Sequence, residues 1–432
     1  MLSKTRVALA AAFIVLPLLH ACGLDNVNQG EVRLVNATSE YPALELDTED
    51  SSGSTSSLIS GTSQGTVSGY TGVDNGSQTF DVKGGTSAGV AGQVIGSVST
   101  DKHYTVVASI TGSSLTATFL SDEETGPSSG NAKLRIFNAA STEAGGVDVY
   151  LTSSDCSALQ VTDTAFAANV TALQTTFSQV SAADWHVCVT ATGDKGSLRL
   201  NIPKLTLKDQ EIATLILTRT AGGVLLNASV LEQQGALTAY KNSIARMRVV
   251  ADAASAATVT ATVNDVSLGS ATSPIVGDYQ TIPEGAVTAA IQIGGVDISG
   301  VSLPAVTAGT DYTLLVAGTV GAPSITLLTD DNTPSTSATA PVKARFVNGL
   351  NGIGGTASAT IDGKLIGSGT SFAAASVYTT TAASTGTATV TVTANGVSVD
   401  PLLSQTFASG GVYTVFLLGD TDTPQIVQSV DR

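Results

Sequence analysis

Apolar residues recur at every second position in short runs along this chain, and glycine-rich turns separate the runs. Val147, Val149 and Leu151 alternate with Asp148 and Tyr150, the period-2 signature of a strand with one face buried. That strand follows another apolar run and a turn of small residues, so that Arg135 to Leu151 reads as strand, turn, strand. Versions of the same stretch begin at Arg33, Arg248 and Arg345, each with arginine near the start of the first run. A Ser/Thr/Gly-rich stretch follows, longest from Ser51 to Gly76, where it reads as a long loop. Hairpin turns are predicted at Gly294-Gly295, near Asn395-Gly396 and at Asp362-Gly363, with Gly84-Gly85 and Gly193-Asp194 in the corresponding places of the first two copies. A late strand opens at Tyr104, Ile212, Tyr312 and Tyr413, and a last strand closes each copy. Ala165 to Val180 is the nearest approach to a helical period, and its Thr, Val and Phe content leaves it ambiguous.

Short alternating strands with glycine turns predict an all-β chain of four tandem antiparallel immunoglobulin-like β-sandwich modules, which follow an N-terminal segment of different character. The boundaries read as a signal peptide over 1–21, a tether over 22–30, and modules over 31–122, 131–232, 244–330 and 341–432. Tyr104, Tyr312 and Tyr413 resemble the tyrosine that bonds back to a corner in immunoglobulin-like folds. Ile212 breaks that series in the module that holds a cysteine pair, which suggests a disulfide in place of the corner. The connections Ser121 to Gly130 and Thr329 to Pro341 read as exposed linkers, Glu232 to Ser243 as partly ordered, and the array as elongated.

Charge changes the picture in two ways. Only 12% of the residues are charged, and the formal net charge of −16 repels phosphate backbones, so nucleic acid is not an expected partner. The bland reading of this acidity is solubility outside the cell. At the N-terminus, Lys4 and Arg6 precede an apolar run from Val7 to Leu19, 13 residues long and too short to span a bilayer. The run has signal-peptide form and ends Leu19-His20-Ala21-Cys22, which resembles the bacterial lipobox, although His20 departs from it. The resemblance implies lipidation of Cys22, an anchor in the outer membrane, and hence the membrane as a partner; the alternative is plain secretion with cleavage after Ala21. Export leaves Cys156 and Cys188 free to oxidise, and a disulfide is expected, with two free buried thiols as the alternative. His186 beside Cys188 makes a Cys2His metal site conceivable, but no fourth ligand lies near and no Cys-x2-Cys spacing is present.

Arg135-Ile-Phe-Asn138-Ala139 followed by Val147-Asp148-Val149-Tyr150 resembles the bacterial domain of unknown function 4397, in tandem copies over almost the whole mature chain. Arg33 to Ala37 fits it in part, and the third and fourth copies keep only the framework. The resemblance implies a β-sandwich on an exported protein and supplies no catalytic residues.

Candidate chemistry is sparse. Gly61-Thr62-Ser63-Gln64-Gly65 and Gly85-Thr86-Ser87-Ala88-Gly89 match the nucleophile-elbow pattern, but no helix is predicted after either serine. His103 reads as a surface residue, and His186 with Asp184 and Trp185 cannot form a triad, because neighbours on a strand face opposite ways. Asp47-Glu49-Asp50, Asp122-Glu123-Glu124 and Asp330-Asp331 read as solvated charge, with calcium as the rival, though no calcium loop is present. Trp185 reads as a core residue, which weakens a glycan-binding reading. The expectation is a non-enzymatic, lipid-anchored envelope protein with no cofactor and no metal, presenting loops to an envelope protein or polysaccharide, with the long stretch Ser51 to Gly76 as the expected contact surface and no individual binding residue assigned. A hydrolase or processing factor with an unrecognised carboxylate site is the alternative.

Overall fold

Alternating residues do sort onto the two faces of strands. In the computed structural model, which describes residues 28–49, 53–84, 89–111, 114–141, 145–171, 175–220 and 222–432, strands account for nearly all regular structure. Cys22 and the signal segment lie outside the described residues, as does most of the second serine motif.

The first sandwich contains β1 (Gln29–Asn36), β2 (Ala43–Glu49), β3 (Thr55–Ser63), β4 (Thr71–Asp74), β5 (Gly76–Lys83), β6 (Val90–Val98), β7 (His103–Thr111) and β8 (Ser114–Ser121). One sheet has the order β4-β1-β7-β8 and the other β3-β2-β5-β6. The second contains β9 (Asn131–Asn138), β10 (Val147–Thr152), β11 (Ala167–Val170), β12 (Ser178–Ser181), β13 (Asp184–Ala191), β14 (Asp194–Thr206), β15 (Ile212–Arg219), β16 (Leu226–Glu232) and β17 (Leu237–Tyr240). Its sheets run β12-β9-β15-β16-β17 and β11-β10-β13-β14. Two further sandwiches follow, one from Ile244 to Asp330 and one from Val342 to Val430. Each of the four has its own apolar core, such as Val147, Val149, Val187, Val189 and Leu215 in the second.

The sheets are not purely antiparallel. β1 runs parallel to β7, and β9 to β15, with the same relation in the other two sandwiches. Between them the chain crosses to the opposite sheet and returns, the long crossover that parallel neighbours require. The stretch from Ser51 to Gly76 is not one long loop; it holds β3 and β4, which lie in opposite sheets and are joined by the crossing residues 64–70. Ala165 to Val180 contains β11 and the start of β12, with no helix among its described residues.

Turns and corners follow their residues. Asp362-Gly363, Gly294-Gly295 and Asn395-Gly396 each form a two-residue hairpin with both residues at positive φ. The turn before β14 is Thr192-Gly193, one position earlier than expected. The Tyr104, Tyr312 and Tyr413 hydroxyls accept from the backbone N–H of Ser99, Thr307 and Ala408, at 3.1, 3.0 and 2.6 Å, as a tyrosine corner does. In the second sandwich the aligned position is Ala213, facing Leu134 as Tyr104 faces Val32, and not Ile212. The disulfide lies on the other sheet and does not replace the corner.

The sandwiches are packed in pairs through sheet faces, which corrects the elongated array. Val106 points into its own core while Val107 points out, meeting Phe137 and Ile216 of the second sandwich. Val250 and Leu315 meet Val347 and Phe416 in the same way. Apolar residues on both faces of β7 and its equivalents mark strands covered on both sides.

Candidate functional site

The repeated arginines sit at these seams. Arg33, Arg135, Arg248 and Arg345 are all buried, and each donates through Nε to a threonine hydroxyl of the parallel neighbour: Thr105, Thr214, Thr313 and Thr414. Each guanidinium also lies over a ring, of Tyr70, Phe177, Tyr279 and Tyr378, at 4.4 to 4.9 Å. The acid that neutralises it comes from across the seam in the second pair. Arg248 meets Asp431 at 2.7 Å and Arg345 meets Asp330, a reciprocal exchange about a local two-fold. Burial works against the charge of Arg248, and the Asp431 carboxylate overcomes it and holds the proton on. In the first pair, Arg33 donates across the seam to the carbonyls of Gly235 and Glu232 at 2.6 and 3.1 Å.

Asp122 and Asp330 are therefore not solvated charge but buried and partnered. Each accepts from a threonine (Thr105, Thr313) and from a tyrosine hydroxyl, Tyr70 or Tyr279, at 2.5 to 2.6 Å. The second sandwich departs at two positions together, with Phe177 for the tyrosine and Gln233 for the acid. A phenylalanine has no hydroxyl to donate, so the two changes suit each other.

The residues behind the family resemblance also hold the frame. Asn138 donates to the Val170 carbonyl and accepts from Ala140 N–H, and Asn36 and Asn348 repeat this bridge between sheets. Asp148 accepts from Asn169 and Gly193 N–H at 2.7 and 2.9 Å, pinning the edge strand β11 and the turn before β14.

No triad assembles around the candidate histidines or serine. Ser63 ends β3 and is followed by a turn and another strand. His103 lies between Glu31 and Glu123, at 3.1 and 3.0 Å. His186 sits on β13 with Nδ1 buried and no hydrogen-bond partner. Cys156 and Cys188 are joined, Cα to Cα 5.5 Å, so their thiols are unavailable to a metal. Among the described residues no three His, Cys, Asp or Glu side chains stand close enough to hold a metal ion.

One copy is built differently at the end of its second strand. The third and fourth sandwiches pass to the next strand by the two-residue turns Asn264-Asp265 and Asp362-Gly363. In the second, the chain between β10 and β11 leaves the sheet from Ser153 to Phe166 and folds over its outer face. The disulfide staples this loop to β13. The Lys195 ammonium donates to the carbonyls of Gln160, Val161 and Asp163 at 2.6, 2.8 and 2.6 Å, filling all three donors. Asp155 accepts from Ser157 N–H at 2.9 Å, which holds its carboxyl below the usual carboxylate range. Val161 stands 95% exposed on the loop.

A hollow of about 400 Å³ opens between this loop and the ends of β10 and β13. Trp185 lines it, half-buried at the edge of the core and not sealed within it. Nothing in the sequence separated this loop from an ordinary linker except the cysteine at its start. A second concavity of about 320 Å³ lies along the first seam. Its Arg219 is engaged by Glu40 and by Ser39 of the facing sandwich, which makes it part of the joint.

Paired β-sandwiches with one elaborated loop define a class of protein by architecture. Residues 30–150 match the family model described as Domain of unknown function (DUF4397), a stretch that takes in the first sandwich and the opening strands of the second. No curated protein matches the chain. Among solved structures, the Bacillus anthracis TIE protein aligns over 68% of this chain and 51% of its own, at 7% identity and a TM-score of 0.15. The chain thus spans about half the length of that protein, and so loose an overlap carries no argument.

Proposed function

We propose that this is a non-enzymatic, lipid-anchored cell-envelope protein whose paired sandwiches are a stand for a binding site on the stapled loop of the second one. The observation that carries the reading is internal comparison. Four copies share one frame, and one of them replaces a tight turn with a fourteen-residue excursion held by a covalent bond and a lysine. Scaffolds keep their strands and vary their loops where they bind, and a loop ordered in advance loses less entropy on binding. The signal-peptide form of the N-terminus and Cys22 support the anchor.

Two measurements test the reading. Replacing residues 153–166 by Asn-Gly, with Cys188→Ala, is expected to abolish binding of the purified chain to isolated cell envelopes while the melting temperature of the seams holds. Unchanged binding refutes the assigned site. Cys22→Ala is expected to move the protein from the membrane to the soluble fraction and to remove the acyl mass from the mature N-terminus.

A further inference from the structure

We infer that the hollow beside Trp185 binds a neutral saccharide, an inference that rests on the stapled loop being the binding element. The ring comes first. Trp185 spends its indole N–H on the Ser181 carbonyl at 3.1 Å, so what it offers the hollow is apolar ring surface. The C–H face of a pyranose suits such a surface, as amphipathic ligands suit aromatic platforms.

Polar groups ring the remainder. Ser153, Asp155, Gln160, Asp163 and Thr164 line the same hollow and provide the mixed donors and acceptors that a set of sugar hydroxyls requires. They are fixed in place. The Asp163 carboxylate is anchored by Gln160 N–H at 2.7 Å, and the disulfide and Lys195 hold the loop on both sides. The volume falls within the range of ligand sites, which is about 300–1,000 Å³.

Charge selects among saccharides. Both charged side chains lining the hollow are carboxylates, and the neighbouring cation, Lys195, is consumed by three carbonyls. The whole chain carries −16 besides. Uronates, phosphorylated sugars and acidic peptides are repelled, and a neutral glycan is accepted.

Trp185 is the single tryptophan of the chain, so its own emission reports occupancy. The full mature chain is titrated with neutral oligosaccharides (α- and β-linked glucose oligomers, mannose oligomers, N-acetylglucosamine oligomers) and with oligogalacturonate. At least one neutral series is expected to shift Trp185 emission saturably, and oligogalacturonate is not. Asp163→Ala is expected to weaken that binding by about tenfold or more with an unchanged melting temperature. Cys156→Ala/Cys188→Ala is expected to weaken it as well, by releasing the loop. Saturable binding of oligogalacturonate in preference, binding indifferent to Asp163→Ala, or no response to any neutral series at about 10 mM, roughly tenfold above a millimolar Kd, overturns the inference. If the sugars fail while loop replacement still abolishes envelope binding, the saccharide falls and the binding loop stands.

Discussion

Asp330 shows how much of this molecule hangs on single buried groups. It joins Arg345 of the next sandwich to Thr313 and Tyr279 of its own, with almost no exposure to water. Asp330→Ala leaves a buried guanidinium without its acid, and about 3–5 kcal/mol of stability should be lost in urea unfolding. The double change Asp330→Leu/Arg345→Met removes both charges and is expected to recover most of that loss. Asp252 behaves differently. It lies buried at the same seam, accepts from Gly419 N–H through Oδ1 and leaves Oδ2 without a partner. Burial pushes its carboxyl up to about 7, the Gly419 bond opposes this, and nearby Asp420 adds to it. The folded state therefore holds a proton that the unfolded chain releases near pH 4. Stability contributed by this group falls as pH rises from about 4 to about 7 and is level above that. Unfolding midpoints measured across that window should slope downward, and Asp252→Asn should flatten the slope. At this scale the sequence was partly legible. The cysteine pair followed from export, whereas the arginines were seen to recur without a reason, because their threonine and ring partners are far away in sequence and their further acceptors lie across a seam that one module's sequence does not contain.

At the scale of elements, turn chemistry was the clearest signal. Asp362-Gly363 and Asn395-Gly396 tolerate the positive φ that a tight hairpin needs, and the structure uses them so. Strand direction was not legible, since alternation is the same in parallel and antiparallel ladders. The pairing of sandwiches was legible in principle. Val106-Val107, Leu314-Leu315 and Val415-Phe416 put apolar groups on both faces of one strand, which a sandwich exposed to water on its outer side does not need. Trp185 was assigned to the core beside Cys188, and it does pack against that core from β13, but it is only half-buried and also lines the hollow under the neighbouring loop. The staple itself makes a prediction. Cys156→Ala/Cys188→Ala should cost roughly 3–4 kcal/mol from the closed chain of 32 residues, and should make residues 153–166 the first site of protease attack on the second sandwich.

For the whole molecule, the seams and the joint between pairs are unequal. Within a pair, apolar faces and buried arginines cross the boundary. Between the pairs, the Gly309 carbonyl accepts from Gly222 N–H and from the Thr220 hydroxyl, both at 2.7 Å. Arg199 is also there, its Nε and Nη1 buried without an acceptor, and burial together with Arg246 lowers its pKa to about 10. Limited proteolysis is thus expected to yield two halves, parted near the connection between Tyr240 and Ile244, in place of four quarters. Mass spectrometry of the fragments checks it, and single-sandwich products accumulating first would contradict the pairing.

The local two-fold between partners has a consequence for how such chains lengthen. A sandwich added alone would display an oily sheet with an arginine at its centre and none of the acceptors that the facing sandwich supplies. Growth by twos leaves no such face, so an odd-numbered relative built on this plan should be found self-associated, its unmatched bead seated against the same bead of another molecule.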